Sequence, residues 1–411
     1  MTRFSSPRRE VRPIDPLTKY SRFVGRMEKS REIYADVLRV LAAFTVVFQH
    51  TVTSVWYTVP VDSSDFAALN FLNSLSRFGV GVFIMISGAF MLSPKYPHPP
   101  EKILKHNLPR TLIPLVFWVI FYGVVEQINV NIVDGSFAAG DIAGIVTDVL
   151  SAPLLLFTKP AGHLWFLYTI VGLYILTPPL RVFTEHASRK MLLYVIGIFF
   201  AFGLLLPTAS HLLAKFADFN LYKNISIQGA TSFVGFYLTG YYIANFGISA
   251  RARKFLYGAG LASWIVAFVA ATYISELHDA PNEYFFGNFR PTTYLMAAGI
   301  FAAMRAAFSK ESRDVQSDVQ SGNVQSREQS NAQSRKIILR KVTNIALNFS
   351  GCMMGVYLIH PLFIKAFYGL HLTILEPHPI VTAPLAAIAF YVISTAVVYA
   401  FRKIPGIKKI L

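Results

Sequence analysis

Ten long apolar runs constrain the fold of this chain more than any other feature of its sequence. A hydrocarbon layer about 30 Å thick is crossed by a helix of roughly 20 apolar residues. Because lipid offers no hydrogen bonds to the backbone, such spanning segments are helical. We therefore predict an all-α polytopic integral membrane bundle of about ten transmembrane helices. The predicted spans are 34–55, 71–92, 111–132, 163–182, 190–208, 228–246, 255–274, 291–308, 345–368 and 383–402.

Basic residues are unevenly distributed along the chain, which has 38 Lys and Arg against 22 Asp and Glu, a net charge of +16. They concentrate in the two tails and in every second predicted loop, which is a topology signal and argues against a nucleic-acid partner. Charged residues make up only 15% of the chain, against roughly 25% in soluble domains. The positive-inside rule places both termini in the cytoplasm, so we expect a multi-pass protein of the inner (plasma) membrane, in contact with membrane lipids.

The predicted domain organisation has a basic cytoplasmic tail at 1–33, a transmembrane domain at 34–403 and a short basic tail at 404–411. No cleavable signal peptide is apparent in the first segment. The loop 310–335 repeats the letters VQS and lacks apolar residues, so we predict that it is disordered. A weaker apolar run at 142–157 predicts an interfacial or re-entrant helix.

Several chemistries are excluded by what the sequence lacks. The single cysteine, Cys352, forms no intrachain disulfide and argues against a thiolate cluster. The histidines do not have the spacing of zinc ligands, so we expect no metal site. The sequence also has no Walker A, dinucleotide-binding, HExxH or GxSxG motif.

The first span carries two polar residues on one helical face. Arg39 and His50 are 11 residues apart, which is about three turns and about 16 Å along a helix. The predicted topology puts the permanent cation near the cytoplasmic end and the titratable imidazole near the outer end. The alternative interpretation is an Asp36–Arg39 pair at spacing i, i+3, with a histidine that merely ends the helix.

Two further histidines are predicted at the same outer side as His50. His163 opens the fourth span next to Trp165, and His360 lies inside the ninth span, followed by a proline. Charged or titratable groups inside spans usually face a bundle interior or a polar cavity. The alternative for His163 and Trp165 is an aromatic-belt residue beside a histidine at the start of a helix. The alternative for His360 is a core histidine whose hydrogen bonds are satisfied.

Other polar residues fall on both sides of the predicted bundle. Arg77 and Glu126 lie in the outer parts of the second and third spans, where each can either line a cavity or reach water. Lys105 and Arg110 lie with His106 at the cytoplasmic start of the third span. Such a basic cluster suits phosphate groups, although ordinary positive-inside anchoring also explains it.

These residues fall in segments that resemble acyltransferase family 3, the membrane-bound acyltransferases that O-acylate surface polysaccharides and related glycans. The resemblance extends from about residue 31 to 403, and its most specific element is the Arg-x10-His pattern of Arg39 and His50. The form of the segments is most like the branch of surface-polysaccharide and enterobacterial-common-antigen-type O-acetyltransferases. Where many members have a paired-arginine motif before the third helix, only Lys105 and Arg110 correspond. The similar segments are RFGVGVFIMISGAF, the basic stretch leading to Pro114, HLWFLYTIVGLYILTP, FVGFYLTGYYI and YLIHPLF.

The resemblance implies transfer of an acyl group, first of all acetyl, from cytoplasmic acyl-CoA to a hydroxyl of a surface polysaccharide or lipid-linked glycan. Acyl-CoA is then a substrate, and no cofactor is bound permanently. His50 is either a general base for the acceptor hydroxyl or a transient carrier of the acyl group, and the sequence leaves both versions open. The residues implied are His50, Arg39 and His360 for catalysis, Lys105 and Arg110 for the donor, and His163, Trp165, Arg77 and Glu126 for the acceptor or support.

Two other functions remain open from the sequence. The first is a transporter or flippase for a glycan or small molecule, although no internal repeat relates 34–182 to 228–402 as transporters often show. The second is an inactive relative that serves as a binding or assembly subunit of an envelope complex. Turnover of the donor separates an enzyme from both, and the oligomeric state is not predicted.

Overall fold

The computed structural model describes residues 32–133, 159–213, 233–318 and 341–411, and within these ranges it contains helices and no strand. The weak apolar run at 142–157 lies outside the described residues. In chain order the principal helices are α1 (Ile33–Trp56), α2 (Ser64–Ser76), α3 (Gly79–Met91), α4 (Leu108–Val133), α5 (Trp165–His186), α6 (Arg189–Phe200), α7 (Leu206–Leu213), α8 (Val234–Phe246), α9 (Ala250–His278), α10 (Pro291–Asp318), α11 (Met353–Gly369) and α12 (Pro379–Phe401).

Eight helical segments are long and apolar enough to cross a membrane, which makes the chain a multi-pass membrane protein. The predicted spans 228–246 and 291–308 correspond to α8 and α10, which are not among the eight. The predicted total of ten and the cytoplasmic location of both termini therefore stay predictions. The eight segments are Ile33–Trp56, Ser64–Met91, Pro100–Glu126, Gly162–His186, Arg189–Leu213, Ala250–His278, Lys341–Gly369 and Pro379–Phe401.

The second span differs from the prediction, which placed a loop at 56–70. The helix begins at Ser64, because the hydroxyl of Ser63 accepts a hydrogen bond from the amide of Phe66 at 3.1 Å and caps its first turn. It is then interrupted at Arg77, where α2 ends and α3 follows. A second difference concerns the loop 310–335, because residues 310–318 belong to α10 and the remainder lies outside the described residues.

Helices α3 and α8 pack with their backbones in direct contact. A Cβ atom on Gly88 would lie 1.9 Å from the carbonyl oxygen of Tyr237, and one on Gly240 would lie 1.9 Å from that of Met85. Glycine is required at both positions because any side chain would push the two helices apart. This contact fixes α3, whose exposed face forms one wall of the site described below.

Helix α1 is held along its length by α11 and α12. The hydroxyl of Tyr391 on α12 donates to the backbone oxygen of Val40 at 3.0 Å, one residue beyond Arg39. Farther along the same helix, His50 contacts α11. Both ends of the predicted Arg39–His50 face are therefore fixed against the same part of the bundle.

Candidate active site

His50 and His360 form a close pair between α1 and α11, although 310 positions separate them in the chain. Nδ1 of His50 lies 2.6 Å from Nε2 of His360, and the two rings stack with centroids 4.9 Å apart and planes 16° from parallel. The ring of His360 is fully buried. At this distance one nitrogen must carry a hydrogen and the other a lone pair, so the rings cannot both be doubly protonated.

The backbone decides which nitrogen of the pair donates. Nδ1 of His360 lies 3.1 Å from the backbone oxygen of Val356, and a carbonyl only accepts hydrogen bonds. Nδ1 of His360 is thus the protonated nitrogen, and its Nε2 accepts from Nδ1–H of His50. A neutral His50 then carries its lone pair on Nε2, the position that a general base needs.

His163 completes a cluster of three imidazoles. Its ring centroid lies 6.4 Å from that of His50 and 5.9 Å from that of His360, with the ring nearly perpendicular to both. Tyr357 donates a hydrogen bond from its hydroxyl to the backbone oxygen of His163. Nε2 of His163 is buried and has no hydrogen-bond partner in the described part of the chain.

The cluster borders a cavity of about 270 Å³, here called the histidine cavity. At its rim, Nζ of Lys365 lies 2.9 Å from a carboxylate oxygen of Glu126, and both side chains are more than a third exposed. The predicted position of Glu126 near the outer histidines is thus found, through an ion pair with Lys365 and not through an imidazole. The lining residues are His50, Thr53, Ser54, Gly162, His163, Pro361, Ile364 and Lys365.

Arg39 lies at the other end of α1. Its Nη1 donates to Oδ1 of Asp36 at 2.8 Å, so the pair expected from the i, i+3 spacing is present. The pairing does not bury the guanidinium, which is 34% exposed, whereas Asp36 is 2% exposed. The guanidinium also lies over the ring of Phe90, 5.2 Å from its centroid. Arg39 therefore keeps N–H groups that face open space.

That space is a second cavity of about 430 Å³, here called the Arg39 cavity. Its walls are largely aromatic and apolar. Among the described residues that line it there is no acidic side chain. The lining residues are Arg39, Phe83, Ile86, Ser87, Phe90, Met91, His98, Phe166, Ile170, Tyr174, Ser350, Gly351, Met353, Met354 and Tyr357.

A layer of aromatic side chains lies between the two cavities. Tyr357 and Phe166 line the Arg39 cavity, and their rings meet edge to face with centroids 5.5 Å apart. Tyr357 reaches through this layer to the backbone oxygen of His163, which lines the histidine cavity. The two cavities are thus neighbours on either side of Tyr357.

Two other predicted residues, Arg77 and Trp165, are not among those that line either cavity, although Arg77 lies close enough to His50 to act on it electrostatically. Arg77 is buried at the break between α2 and α3, where Nη2 donates to the side-chain oxygen of Asn73 at 2.6 Å. Its guanidinium lies over the ring of Phe286, 4.7 Å from the centroid. Trp165 stacks on Phe233 with ring centroids 5.8 Å apart. Neither residue is among those that line the histidine cavity.

The basic cluster at the start of the third span is exposed. Lys105 belongs to the π-helical segment Ile103–Asn107, and Arg110 lies in the first turn of α4. Both side chains are exposed, and neither is among the residues that line the Arg39 cavity. No group of His, Cys, Asp or Glu in the described ranges is arranged to hold a metal ion.

Sequence reasoning missed two residues of this arrangement. Tyr357 precedes His360 by three positions and so shares its helical face, a signal that the span itself offered. His98 lies in the loop between α3 and α4, where no periodicity indicates which way a side chain faces.

A cluster of three histidines beside a cavity of a multi-pass helical bundle is suited to proton transfer or group transfer. The family model for the acyltransferase domain of acyltransferase family 3 matches residues 32–403, and the chain belongs to that family. The chain is thus a membrane acyltransferase. Comparison with curated proteins gave no match. Comparison with solved structures gave none either.

Proposed function

We propose that this acyltransferase moves an acyl group, first of all acetyl, from acyl-CoA to a hydroxyl of a surface polysaccharide or lipid-linked glycan. The observation that carries the proposal is the position of His50. It borders the histidine cavity, is oriented by His360, and shares one helix with Arg39 at the second cavity. An acyl donor bound at Arg39 and an acceptor bound beside His50 are thereby brought to one helix.

The basic loops support an orientation for this arrangement. The Arg39 cavity lies at the end of the bundle that carries the segment 93–110 and the start of α9, both rich in Lys and Arg. By the positive-inside rule this end faces the cytoplasm, where acyl-CoA is found, in the inner membrane. The histidine cavity then faces the outer side, where envelope glycans are found.

The proposed chemistry is general-base catalysis by His50. Nε2 of His50 takes the proton of the acceptor hydroxyl while that oxygen attacks the thioester carbonyl carbon. The tetrahedral intermediate collapses by breaking the carbon–sulfur bond, and the CoA sulfur leaves with the electron pair. The proton on Nε2 then passes to the sulfur, which leaves an ester, free CoA and a neutral imidazole.

The partners of His50 have separate parts in this step. The hydrogen bond from Nδ1–H to His360 keeps the lone pair on Nε2 and lets His360 share the positive charge that develops. The ring of His163 packs against those of His50 and His360 and lines the histidine cavity, so it fixes the position of the pair and bounds the acceptor site. Thr53, Ser54 and Lys365 offer polar groups to the rest of an acceptor at the rim.

The test is release of the CoA thiol by purified protein in nanodiscs, with acetyl-CoA and membrane glycan extract. His50→Ala is compared with His278→Ala, which removes an exposed histidine bonded to its own helix at Ile274. We expect His278→Ala to match wild type and His50→Ala to lose about 10²- to 10⁴-fold in rate at the same folded yield. Full activity of His50→Ala contradicts the mechanism. Absence of release with every acyl-CoA tried contradicts the donor and favours a transport function.

A further inference from the structure

The two helices that meet at the histidine cavity line it with different chemistry. On α1, His50, Thr53 and Ser54 share a helical face and contribute an imidazole and two hydroxyl groups. On α11, Pro361 and Ile364 contribute carbon atoms. A pyranose ring has the same division, with carbon-bound hydrogens on its faces and hydroxyl groups around its edge. At about 270 Å³ the cavity is smaller than the roughly 300–1,000 Å³ sites of drug-sized ligands, which suits a single sugar ring.

The two hydroxyl groups on α1 present lone pairs to the cavity. Oγ1 of Thr53 donates its hydrogen to the backbone oxygen of Gln49 at 2.8 Å, and Oγ of Ser54 donates to that of Thr51 at 2.6 Å. A hydroxyl has one hydrogen and a carbonyl only accepts, so each oxygen keeps only lone pairs for a ligand. The hydroxyl of Tyr368, 2.8 Å from Oγ of Ser54, is then the donor in that contact.

The ion pair at the rim adds no net charge. Nζ of Lys365 donates to a carboxylate oxygen of Glu126 at 2.9 Å, so the ammonium group of the lining is already matched by an acid. Arg77 acts on His50 electrostatically, but its side chain is buried outside the lining. Glu283 in turn acts on Arg77 and balances part of its charge. The charges around the cavity therefore do not favour an anion.

We propose that the histidine cavity binds an uncharged sugar ring and rejects acidic sugars. The inference rests on the proposed function, because it takes a glycan as the acceptor. Sugar hydroxyls donate hydrogen bonds and so match the lone pairs of His50 Nε2, Thr53 and Ser54. A carboxylate or phosphate only accepts, so it would meet these lone pairs without hydrogen bonds and would compete with Glu126 for Lys365.

The position of the transferred acetyl group tests the inference. Protein in nanodiscs is given isotope-labelled acetyl-CoA and membrane glycan extract, and tandem mass spectrometry identifies the sugar residues that carry the label. We expect the label on sugars without carboxylate, phosphate or sulfate groups, relative to their abundance in the extract. An equal or greater share on acidic sugars overturns the inference and leaves the proposed function standing.

Two variants change the lone pairs and the rim separately. Thr53→Val keeps the shape of the side chain and removes its oxygen. We expect the KM for the glycan acceptor to rise about two- to ten-fold, as for the loss of a neutral hydrogen bond, with the KM for acetyl-CoA unchanged. Glu126→Gln frees Lys365 from its carboxylate, so the share of label on acidic sugars should rise about two- to five-fold.

Glu276→Gln is the matched control, because it removes an exposed carboxylate near the end of α9, outside the cavity lining. It should change neither the acceptor KM nor the distribution of label. An unchanged acceptor KM in Thr53→Val, or an equal shift of label in Glu276→Gln and Glu126→Gln, overturns the inference alone. Consumption of acetyl-CoA with no label on any sugar overturns the glycan acceptor, and the inference with it. Absence of consumption overturns the proposed function as a whole.

Discussion

The Arg39 cavity and the histidine cavity adjoin the same helix but differ in chemistry. The first has about 430 Å³, aromatic walls and a permanent cation whose charge is balanced only in part by Asp36. The second has about 270 Å³ and is lined by His50 and His163, and His360 contacts His50 from outside the lining. A guanidinium stays protonated at any physiological pH and so can bind an anion but cannot transfer protons. An imidazole can do both, which makes the second cavity the one suited to chemistry.

One helix bundle can thus hold a substrate at one point and let it react at another. Arg39 and His50 are about 16 Å apart along α1, so a ligand that is held at one and reacts at the other must be long. The aromatic layer at Tyr357 lies between the two cavities and is the part that such a ligand must pass.

The largest effect is expected at the partner of the base. His360→Ala removes the acceptor of Nδ1–H of His50, so the imidazole is free to take the wrong tautomer. We expect kcat to fall about 100-fold with the KM for acetyl-CoA unchanged, measured by thiol release in nanodiscs. His360→Gln, whose amide oxygen can accept the same bond, should recover part of the rate. A rise in KM for the donor without loss of kcat would move His360 from the chemistry to donor binding.

The next largest effect is expected at Arg39, in the cavity that we propose holds the donor. Arg39→Ala removes the cavity cation and leaves Asp36 buried without this partner. We expect the KM for acetyl-CoA to rise about ten- to 100-fold while kcat falls less, because a charged hydrogen bond contributes about 1.5–3 kcal/mol. Arg39→Lys keeps the charge, so its KM for acetyl-CoA should lie between those of wild type and Arg39→Ala. Since the buried carboxylate also loses this ion pair, the amount of folded protein is measured beside the rate. A loss confined to folding would contradict the binding role.

A smaller effect is expected at the layer between the cavities. Tyr357→Phe keeps the ring and removes the hydroxyl that donates to the backbone oxygen of His163. A neutral hydrogen bond contributes about 0.5–1.5 kcal/mol, so we expect a decrease in kcat of about two- to ten-fold. Tyr122→Phe removes a comparable bond, to the oxygen of Leu358 at 2.7 Å, and serves as the control. Equal losses in both variants would assign the effect to packing around His163 and not to the layer.

The smallest effect is expected at the rim of the histidine cavity. The ion pair of Glu126 and Lys365 is well exposed, and exposed pairs contribute about 0–1 kcal/mol. Glu126→Gln should change kcat and the donor KM less than two-fold. Its effect on the KM of a glycan acceptor is the informative measurement. A loss of kcat comparable to that of His360→Ala would mean that Glu126 takes part in the reaction. The rim would then not differ in role from the histidine cluster.

Periodicity predicted the spans and the face that Arg39 and His50 share, because both depend on neighbours along one helix. The predicted topology also placed His50, His163 and His360 toward the same side of the membrane. It could not predict that His50 pairs with His360 in particular, since their contact joins residues 310 positions apart. The start of α2 at Ser64 was missed because the segment 56–70 separates two long apolar runs and so reads as a loop.

Charge patterns identified a basic cluster but could not identify which side chains line the Arg39 cavity. Lys105 and Arg110 form the most basic stretch near the third span, yet both are exposed. His98 borders the cavity because the carbonyl contacts of Arg181 fold its loop inward. These contacts involve backbone oxygens, which every residue has, so the sequence carries no trace of them.

The central claim is that α1 joins a donor cavity on one face of the membrane to a base near the other face. Proteoliposomes with the protein in one known orientation test it most directly, because acyl-CoA does not cross a bilayer unaided. Acetyl-CoA is supplied on one face at a time, acceptor glycan is present on the His50 side, and glycan acetylation is measured. The account predicts acetylation only when acetyl-CoA is on the Arg39 side, and none with His50→Ala. Equal acetylation from both faces, or undiminished acetylation by His50→Ala, would contradict it.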